Sequence, residues 1–252
     1  MAHGRHDTCG CFPTGLPYPG IAEQMRSAAP EKVGLAEDLP VDAAWRSVPI
    51  AVIDTETTGK DPGRGDRVVE VGVVRFVDGA VVDRFGTLIN PGVPIPAEAS
   101  AVHGIKDADV KGAPSFEAVA PRLKELLSGA VPAAYNAGFD RSFIRAEMRR
   151  AGHGAGKGAG FPPALRVTCD WIDPLVWARA LQSGSKGFKL GEVAARLGVS
   201  LSNAHRATDD AEAAGHVLLA LLKDEPALTY RGLIARQRGY TAANPSRGPW
   251  RR

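Results

Sequence analysis

Residues 49–59 of the chain have the sequence PIAVIDTETTG. The apolar run Ile50–Ile53 is typical of a central strand that is covered on both faces. Because side chains alternate along a strand, Asp54 and Glu56 share one face of it. Two acids at the end of a buried strand cost free energy unless a cation compensates them, and oxygen-only ligands favour Mg²⁺ or Mn²⁺ over zinc. The alternative interpretation is that the strand ends in a polar turn and that the two acids have no function.

The residues on either side of this stretch predict the fold class. Two β-rich runs, Arg67–Val77 and Val81–Ile89, flank Asp78-Gly79, which is a strong signal for a hairpin between antiparallel strands. Downstream, strand and helix patterns alternate, which predicts an α/β domain with a mixed five-stranded sheet flanked by helices. The later strands are expected at Val131–Tyr135 and Arg166–Asp170, and the helices after Ser115 with Pro121 inside, at Phe139–Arg150, Pro174–Gln182, Leu190–Leu197 and Thr208–Leu222.

Two further motifs carry acids at the start of predicted helices. In YNAGFD (135–140) the chain turns at Gly138 and Asp140 opens a helix, a position that the helix dipole alone also favours. In HRATDDA (205–211) Asp210 continues the apolar stripe of the following helix, whereas Asp209 lies about 100° away and can face solvent behind an N-capping Thr208. A carboxylate that faces the core needs a metal or a buried partner, so Asp210 is the predicted functional residue.

Taken together and in this order, DTETTG, NAGFD and HRATDDA resemble the motifs of the DEDDh exonucleases, a family named for four acids and a histidine. Its members include the proofreading epsilon subunit of bacterial polymerase III, RNase T and oligoribonuclease. The resemblance extends from about Pro49 to Leu222, and His103-Gly104-Ile105 is similar to another recurrent family segment. It implies a ribonuclease-H-like fold and the 3′→5′ removal of nucleoside 5′-monophosphates.

The resemblance also implies roles for individual residues. Four acids would hold two divalent ions, Mg²⁺ with Mn²⁺ as a substitute: Asp54, Glu56, Asp140 and Asp210. His205 would be the general base, since imidazole titrates near neutral pH, although without the acids it would pass for a surface histidine. Three residues would lie near the terminal nucleotide: Thr57, His103 and Phe139. A turn hydroxyl, a loop histidine and a core aromatic residue are the alternative interpretations of these three.

Single-stranded or frayed DNA ends are the predicted substrate, because DTETTG and the third motif are most similar to epsilon-type, proofreading proteins. An RNA 3′→5′ exonuclease like oligoribonuclease or RNase T is the alternative, and a polymerase-associated binding module is another. All five expected catalytic residues are present, which disfavours a scaffold without activity. The sequence leaves open whether the chain has a DNA polymerase partner or forms a homodimer.

The chain is divided by composition into a flexible leader (1–47), an exonuclease domain (48–224) and a basic C-terminal tail (225–252). Residues 231–252 hold six arginines and no acid, so that a chain of net charge +3 has a mildly acidic body. Such a tail either binds a polyanion or is a solvated terminus. An odd count of three cysteines, a polar start and the lack of an apolar run of about 18 residues predict a cytoplasmic protein without membrane contact. The pair Cys9 and Cys11 favours a leader over a zinc site.

Overall fold

A mixed sheet built around β1 (Ile50–Thr57) forms the centre of the computed structural model of this chain. The structure describes residues 34–36, 38–153, 161–201 and 205–243. β1 pairs antiparallel with β2 (Val68–Val77) and parallel with β4 (Val131–Ala133), and β2 pairs antiparallel with β3 (Ala80–Leu88). The strand order within the described residues is therefore β3-β2-β1-β4. The predicted hairpin joins β2 to β3, and Asp78 and Gly79 both have the positive φ that a type I′ turn requires.

Helices fill the connections and cover both faces of the sheet. The α-helices of the described ranges are α1 (Ala97–His103), α2 (Asp107–Val110), α3 (Phe116–Leu127), α4 (Gly138–Arg150), α5 (Pro174–Leu181), α6 (Leu190–Leu197), α7 (Ala207–Leu221) and α8 (Tyr230–Ala243). Short 3₁₀ helices span Trp45–Ser47, Pro62–Arg64 and Pro163–Leu165. Within these ranges, every helix is too short or too polar to cross a bilayer.

The two faces of β1 belong to two separate hydrophobic cores. Ala51 and Ile53 pack with the apolar stripes of α3 and α4. Ile50 and Val52 pack with α7 and α8 on the opposite face. Because side chains alternate, Asp54 and Glu56 continue the face that α7 covers, while Thr55 continues the face that α4 covers. Both helical layers consequently reach the carboxyl end of β1, where the acids of the first motif lie.

Three local predictions differ from the structure. The predicted fifth strand at Arg166–Asp170 is reduced to single bridges, from Cys169 to Gly34 and from Ile172 to Ala133. β4 has only three residues with which this segment could pair. The start of α5 at Pro174 then ends the extended conformation that further pairing would need. Thr208 is a residue of α7 rather than its N-cap, which is Arg206. Helices α1 and α2 lie in a segment for which the sequence predicted no element.

Packed residues extend beyond both predicted domain boundaries. Leu35 and Trp45, from the predicted leader, are buried in the core that α7 covers. All of α8 lies in the predicted tail, yet Leu233 and Ile234 are buried in the same core. Three of the six tail arginines form ion pairs with acids of the domain: Arg231 with Asp42, Arg236 with Glu225, and Arg238 with Asp170. The other three, at 247, 251 and 252, lie outside the described residues, as do Cys9 and Cys11.

Replacing Leu233 by alanine is expected to lower the free energy of unfolding by about 2–5 kcal/mol, because a fully buried side chain would leave a cavity. Urea unfolding followed by circular dichroism measures this. Arg231→Gln in the same helix is the control, since it breaks only an exposed ion pair and should leave the midpoint almost unchanged. Equal midpoints for the two variants would show that α8 is not part of the cooperative unit.

Candidate active site

The end of β1 places two half-buried acids at the edge of an open cleft. Burial raises the pKa of Asp54 well above its ordinary value, and repulsion from Asp140, Asp210 and Glu56 raises it further. Burial, followed by repulsion from Asp210, raises the pKa of Glu56 to about 7. The predicted alternation of the strand therefore brings both carboxylates into one negatively charged cluster.

The third acid reaches the cluster from the other helical layer. Asp140 lies in the first turn of α4, is only 3% exposed, and accepts a hydrogen bond of 2.8 Å from the Thr55 hydroxyl. Burial raises the pKa of Asp140 to about 7, although the hydrogen bond from Thr55 acts in the opposite direction. Thr55 thus links β1 to α4 at the residue between the two acids of β1.

The fourth acid and the histidine lie at the start of α7. The backbone N–H of His205 donates to Asp210 Oδ2 at 2.8 Å, and His205 itself has a left-handed backbone with φ of 70°. Burial raises the pKa of Asp210, while the hydrogen bond from His205 lowers it. The structure brings Asp210 to Asp54 and Glu56, as the helical phase predicted, and Asp209 instead borders two surface depressions beside α7.

Two glycines allow α7 to begin this close to the sheet. Gly72 lies opposite Asp54 on β2, and Gly86 lies opposite Gly72 on β3. A Cβ atom at Gly72 would overlap the Ala207 backbone, and one at Gly86 would overlap the Thr208 hydroxyl. The helix start is therefore seated directly on the sheet beside Asp54.

The arrangement fits divalent cations. Ligand atoms of Glu56, His205 and Asp210 all lie within 4.8 Å of one another. Asp54 and Asp140 belong to the same cluster, because Asp140 repels both Asp54 and Glu56, and Asp210 and Glu56 repel Asp54. Carboxylate oxygens in such number are the donors that Mg²⁺ and Mn²⁺ prefer, and a bound cation would remove the repulsion that raises these pKa values. The residues that could hold metal are thus Asp54, Glu56, Asp140 and Asp210, with His205 at the rim.

The three predicted contacts to the terminal nucleotide lie at the site or beside it: Phe139, His103 and Thr57. Phe139 lines an open cleft of about 560 Å³ together with the acids and His205, and it packs on Phe143. His103 Nδ1 accepts a hydrogen bond from the Ile105 N–H, so the neutral ring carries its proton on Nε2. Burial lowers the pKa of His103, and proximity to His205 lowers it further. The Thr57 hydroxyl donates to the Gly59 carbonyl, as a turn hydroxyl does.

Sequence reasoning missed Glu70. This residue lies on β2 directly opposite Glu56 and is 4% exposed. Its Oε1 accepts from Arg206 Nη2 at 2.8 Å, and its Oε2 accepts from the Ala207 N–H at 3.3 Å. A single acid within the apolar run VVEVGVV was the available signal.

A second missed acid holds the turn before α4. Asp173 is 3% exposed and accepts hydrogen bonds from the backbone N–H groups of Asn136, Ala137 and Leu175. Burial raises its pKa to about 6, and these N–H groups limit the rise. Asn136 has a left-handed backbone with φ of 63°, so the turn that delivers Asp140 depends on this external carboxylate.

The comparisons with known proteins agree with this geometry. A family model described as Exonuclease, of the RNase T type, matches residues 51–218, and the chain therefore belongs to this exonuclease family. The chain is 34% identical over 179 residues to the 3′-5′ exonuclease DinG of Bacillus subtilis (strain 168). It is 37% identical over 186 residues to a DNA polymerase III subunit epsilon-like protein of Rhodobacter capsulatus. These matches cover 71% and 72% of this chain but only 18% and 24% of those relatives.

Solved structures show the same fold. Exonuclease X in complex with 5′ overhanging duplex DNA matches with a TM-score of 0.57 and 24% identity, over 75% of this chain and 99% of that one. The nuclease domain of 3′hExo, a DEDDh family member bound to rAMP, matches with a TM-score of 0.59 and 17% identity, over 73% of this chain and 96% of that one. The predicted family and ribonuclease-H-like fold are confirmed, with four strands in the described sheet where five were predicted.

The raised pKa values predict that the metal-free protein loses stability as the pH rises from about 5 to about 7. Glu56 and Asp140 would be ionised in the unfolded chain over this interval but protonated in the folded protein, so folding binds protons that are lost as pH rises through about 7. Melting temperatures in EDTA should fall over this interval, and millimolar Mg²⁺ should raise the value most at the upper end. A Glu56→Gln variant should have a flatter profile in EDTA. A wild-type profile that rises towards pH 7 would contradict the interpretation.

Proposed function

We propose that this chain is a metal-dependent 3′→5′ exonuclease that releases nucleoside 5′-monophosphates from single-stranded or frayed DNA ends. The observation that carries the proposal is the convergence of four desolvated carboxylates and one exposed histidine at a single open cleft. Membership of the exonuclease family supports the reaction class. Phosphodiester hydrolysis needs this combination, because negative charge develops on a substrate that is already anionic.

Asp54, Glu56, Asp140 and Asp210 would hold two divalent cations. Bound cations at such a site neutralise charge on the phosphate oxygens, acidify a water molecule and stabilise the departing oxygen. The carboxylates fix where that charge is located, since Asp140 is held by Thr55 and Asp210 by the His205 backbone. Each of these hydrogen bonds occupies one oxygen of its carboxylate and leaves the other for a cation.

His205 would act as the general base. Its side chain is exposed at the cleft, and its ring lies within 4.8 Å of carboxylate oxygens of Glu56 and Asp210. The imidazole can accept the proton of a water whose oxygen attacks the terminal phosphorus, while the bond to the 3′-oxygen of the preceding nucleotide breaks. That oxygen takes a proton from the solvent of the open cleft, and the released product is a 5′-monophosphate.

The cleft also supports recognition of an unpaired end. Beside the acids it is lined by Phe139, Tyr135, Leu190 and Leu201, so an apolar wall lies next to a charged floor. A base that has left its stack can pack against such side chains. His103 would support this end of the cleft from beside it, since a hydrogen bond with the Thr57 backbone raises the pKa of its buried imidazole against the effect of burial.

The names of two relatives support different parts of the proposal. One is a 3′-5′ exonuclease, which supports the direction of degradation. The other is an epsilon-like protein of DNA polymerase III, which supports DNA as the substrate and a proofreading role beside a polymerase. RNA is the alternative substrate, and recognition of the 2′-hydroxyl would distinguish the two.

The direct test uses DNA and RNA oligonucleotides of one sequence, each labelled at the 5′ end, with Mg²⁺, Mn²⁺ or EDTA. We expect ladders that shorten from the 3′ end, release of 5′-monophosphates, inhibition by EDTA and faster degradation of DNA. Asp210→Asn should remove the activity while Asp209→Asn retains it, because only Asp210 lies in the cluster. Faster degradation of RNA would select the alternative substrate. An inactive wild-type chain, or loss of activity in Asp209→Asn alone, would contradict the proposal.

Replacing His205 by alanine should lower kcat by about 10² to 10⁴-fold, since a positioned general base contributes that much. Single-turnover rates at saturating enzyme measure the chemical step. Binding of an uncleaved oligonucleotide in Ca²⁺ should change little, because the four acids remain. His216→Ala is a matched control: this histidine lies within α7, where it packs on Phe76 and contacts Glu212. Equal rates for the two variants would exclude His205 as the base.

A further inference from the structure

Glu70 is a buried carboxylate at the edge of the site for which the proposed chemistry has no use. It lies beside Glu56, and its two oxygens accept from two different donors, Arg206 Nη2 and the Ala207 N–H. Arg206 and Ala207 are the last residue before α7 and its first residue. We name this set of contacts among Glu70, Arg206 and Ala207 the α7 clamp.

The α7 clamp holds the short segment that connects the base with a metal-binding acid. The Arg206 carbonyl accepts the backbone N–H groups of Asp209 at 2.9 Å and of Asp210 at 3.0 Å. His205 immediately precedes Arg206, and its own N–H returns to Asp210 Oδ2 at 2.8 Å. A shift of Arg206 would therefore displace His205 and Asp210 together.

The part of the sheet directly beneath the start of α7 provides no side chain that could fix it. Gly72 and Gly86 let the backbone of Ala207 and Thr208 approach closely, but glycines offer no side chain that could fix its position. The left-handed backbone of His205 is also a conformation that non-glycine residues hold only when their surroundings enforce it. Glu70 supplies a charged, doubly accepting anchor at this point.

We propose that Glu70 is a positioning residue, which through the α7 clamp fixes His205 and Asp210 in the geometry needed for hydrolysis. The inference rests on the proposed function, because it assigns to Glu70 the placement of that function's base. It differs from a role for Glu70 as a further metal ligand, since both of its oxygens already accept from protein donors. It also differs from a merely stabilising ion pair. The two roles can be distinguished, because a second ion pair joins α7 to the sheet without contacting the segment 205–207.

That second pair provides the matched control. Arg84 on β3 donates through Nε and Nη2 to both oxygens of Glu212 on α7, each at 2.6 Å. It ties the same helix to the same sheet, but it holds a residue beyond Asp210 and does not contact the segment 205–207. Arg84→Gln should therefore test the loss of a sheet-to-α7 ion pair without loss of the α7 clamp.

The experiment compares Glu70→Gln, Arg206→Gln, their double variant, Arg206→Lys and Arg84→Gln. A glutamine at 70 has only one acceptor oxygen, so it presents an NH₂ group to one of the two donors. We expect kcat to fall by about 10- to 100-fold in each clamp single variant, as misplacement of a catalytic group does, with KM nearly unchanged. The double variant should lose no more than the more impaired single variant, because the two residues act as one unit. Arg206→Lys should recover part of the rate, and Arg84→Gln should keep the wild-type rate.

A measurement that needs no activity accompanies the kinetics. In EDTA, hydrogen exchange at the Ala207 and Asp210 amides, followed by NMR, should be faster in Glu70→Gln and Arg206→Gln than in wild type and Arg84→Gln. Unchanged exchange, or clamp variants no slower in turnover than Arg84→Gln, would overturn the inference. A loss in Glu70→Gln alone, accompanied by a higher Mg²⁺ requirement, would identify Glu70 as a ligand instead. An inactive wild-type chain would refute the proposed function, whereas the exchange measurement would still test the α7 clamp.

Discussion

Mutual repulsion among half-buried and buried carboxylates at the end of β1 is the constraint on which the rest of this structure depends. Burial raises the pKa of Asp54, Glu56, Asp140 and Asp210, and the charges of their neighbours add to the effect at Asp54 and Glu56. The free energy needed to hold them together must come from elsewhere in the fold. It comes from two apolar cores, one on each face of the same strand. The site is thus located where those two cores end.

Asp140 and Asp210 reach the site from helices on opposite faces of the sheet, so each helix start is held in place by different residues. Asp140 arrives with α4, whose first turn is held by Thr55 and by the buried Asp173. Asp210 arrives with α7, which is seated on Gly72 and Gly86. Side chains at those glycines would overlap the start of α7, and loss of the Thr55 hydroxyl or the Asp173 carboxylate would remove hydrogen bonds from the start of α4. The supporting residues lie outside the three acidic motifs, and several lie far from them in sequence.

Three of the four acids could be predicted from local periodicity, which determines where their side chains point, whereas Asp140 was assigned only through the family resemblance. Strand alternation placed Asp54 and Glu56 on one face, and helical phase selected Asp210 over Asp209. Glu70 could not be found in this way. Its importance depends on the register between β1 and β2, which are joined by a long connection rather than a tight turn, so no turn type sets the pairing.

The same reasoning explains the errors at the ends of the domain. In α8 the apolar residues are few and are separated by arginines and glycines. Its sequence therefore predicted a basic tail rather than a packed helix. The helix is fixed by tertiary contacts instead: Gln237 accepts from the Asp173 N–H and from Trp177 Nε1, and donates to the Trp171 carbonyl. Such contacts join residues about 60 positions apart, and no local pattern records them. The segment predicted as a fifth strand, Arg166–Asp170, leads directly to these residues.

The hydrogen bond from the His205 N–H to Asp210 Oδ2 has a further consequence for the proposed chemistry. It connects the backbone of the proposed base directly to a carboxylate of the candidate metal site, so that a shift of one displaces the other. The imidazole remains exposed at the cleft. One short segment thus places both the proposed base and a proposed metal ligand. The strained φ of His205 is the conformational cost of that placement, and the surrounding contacts at α7 offset it.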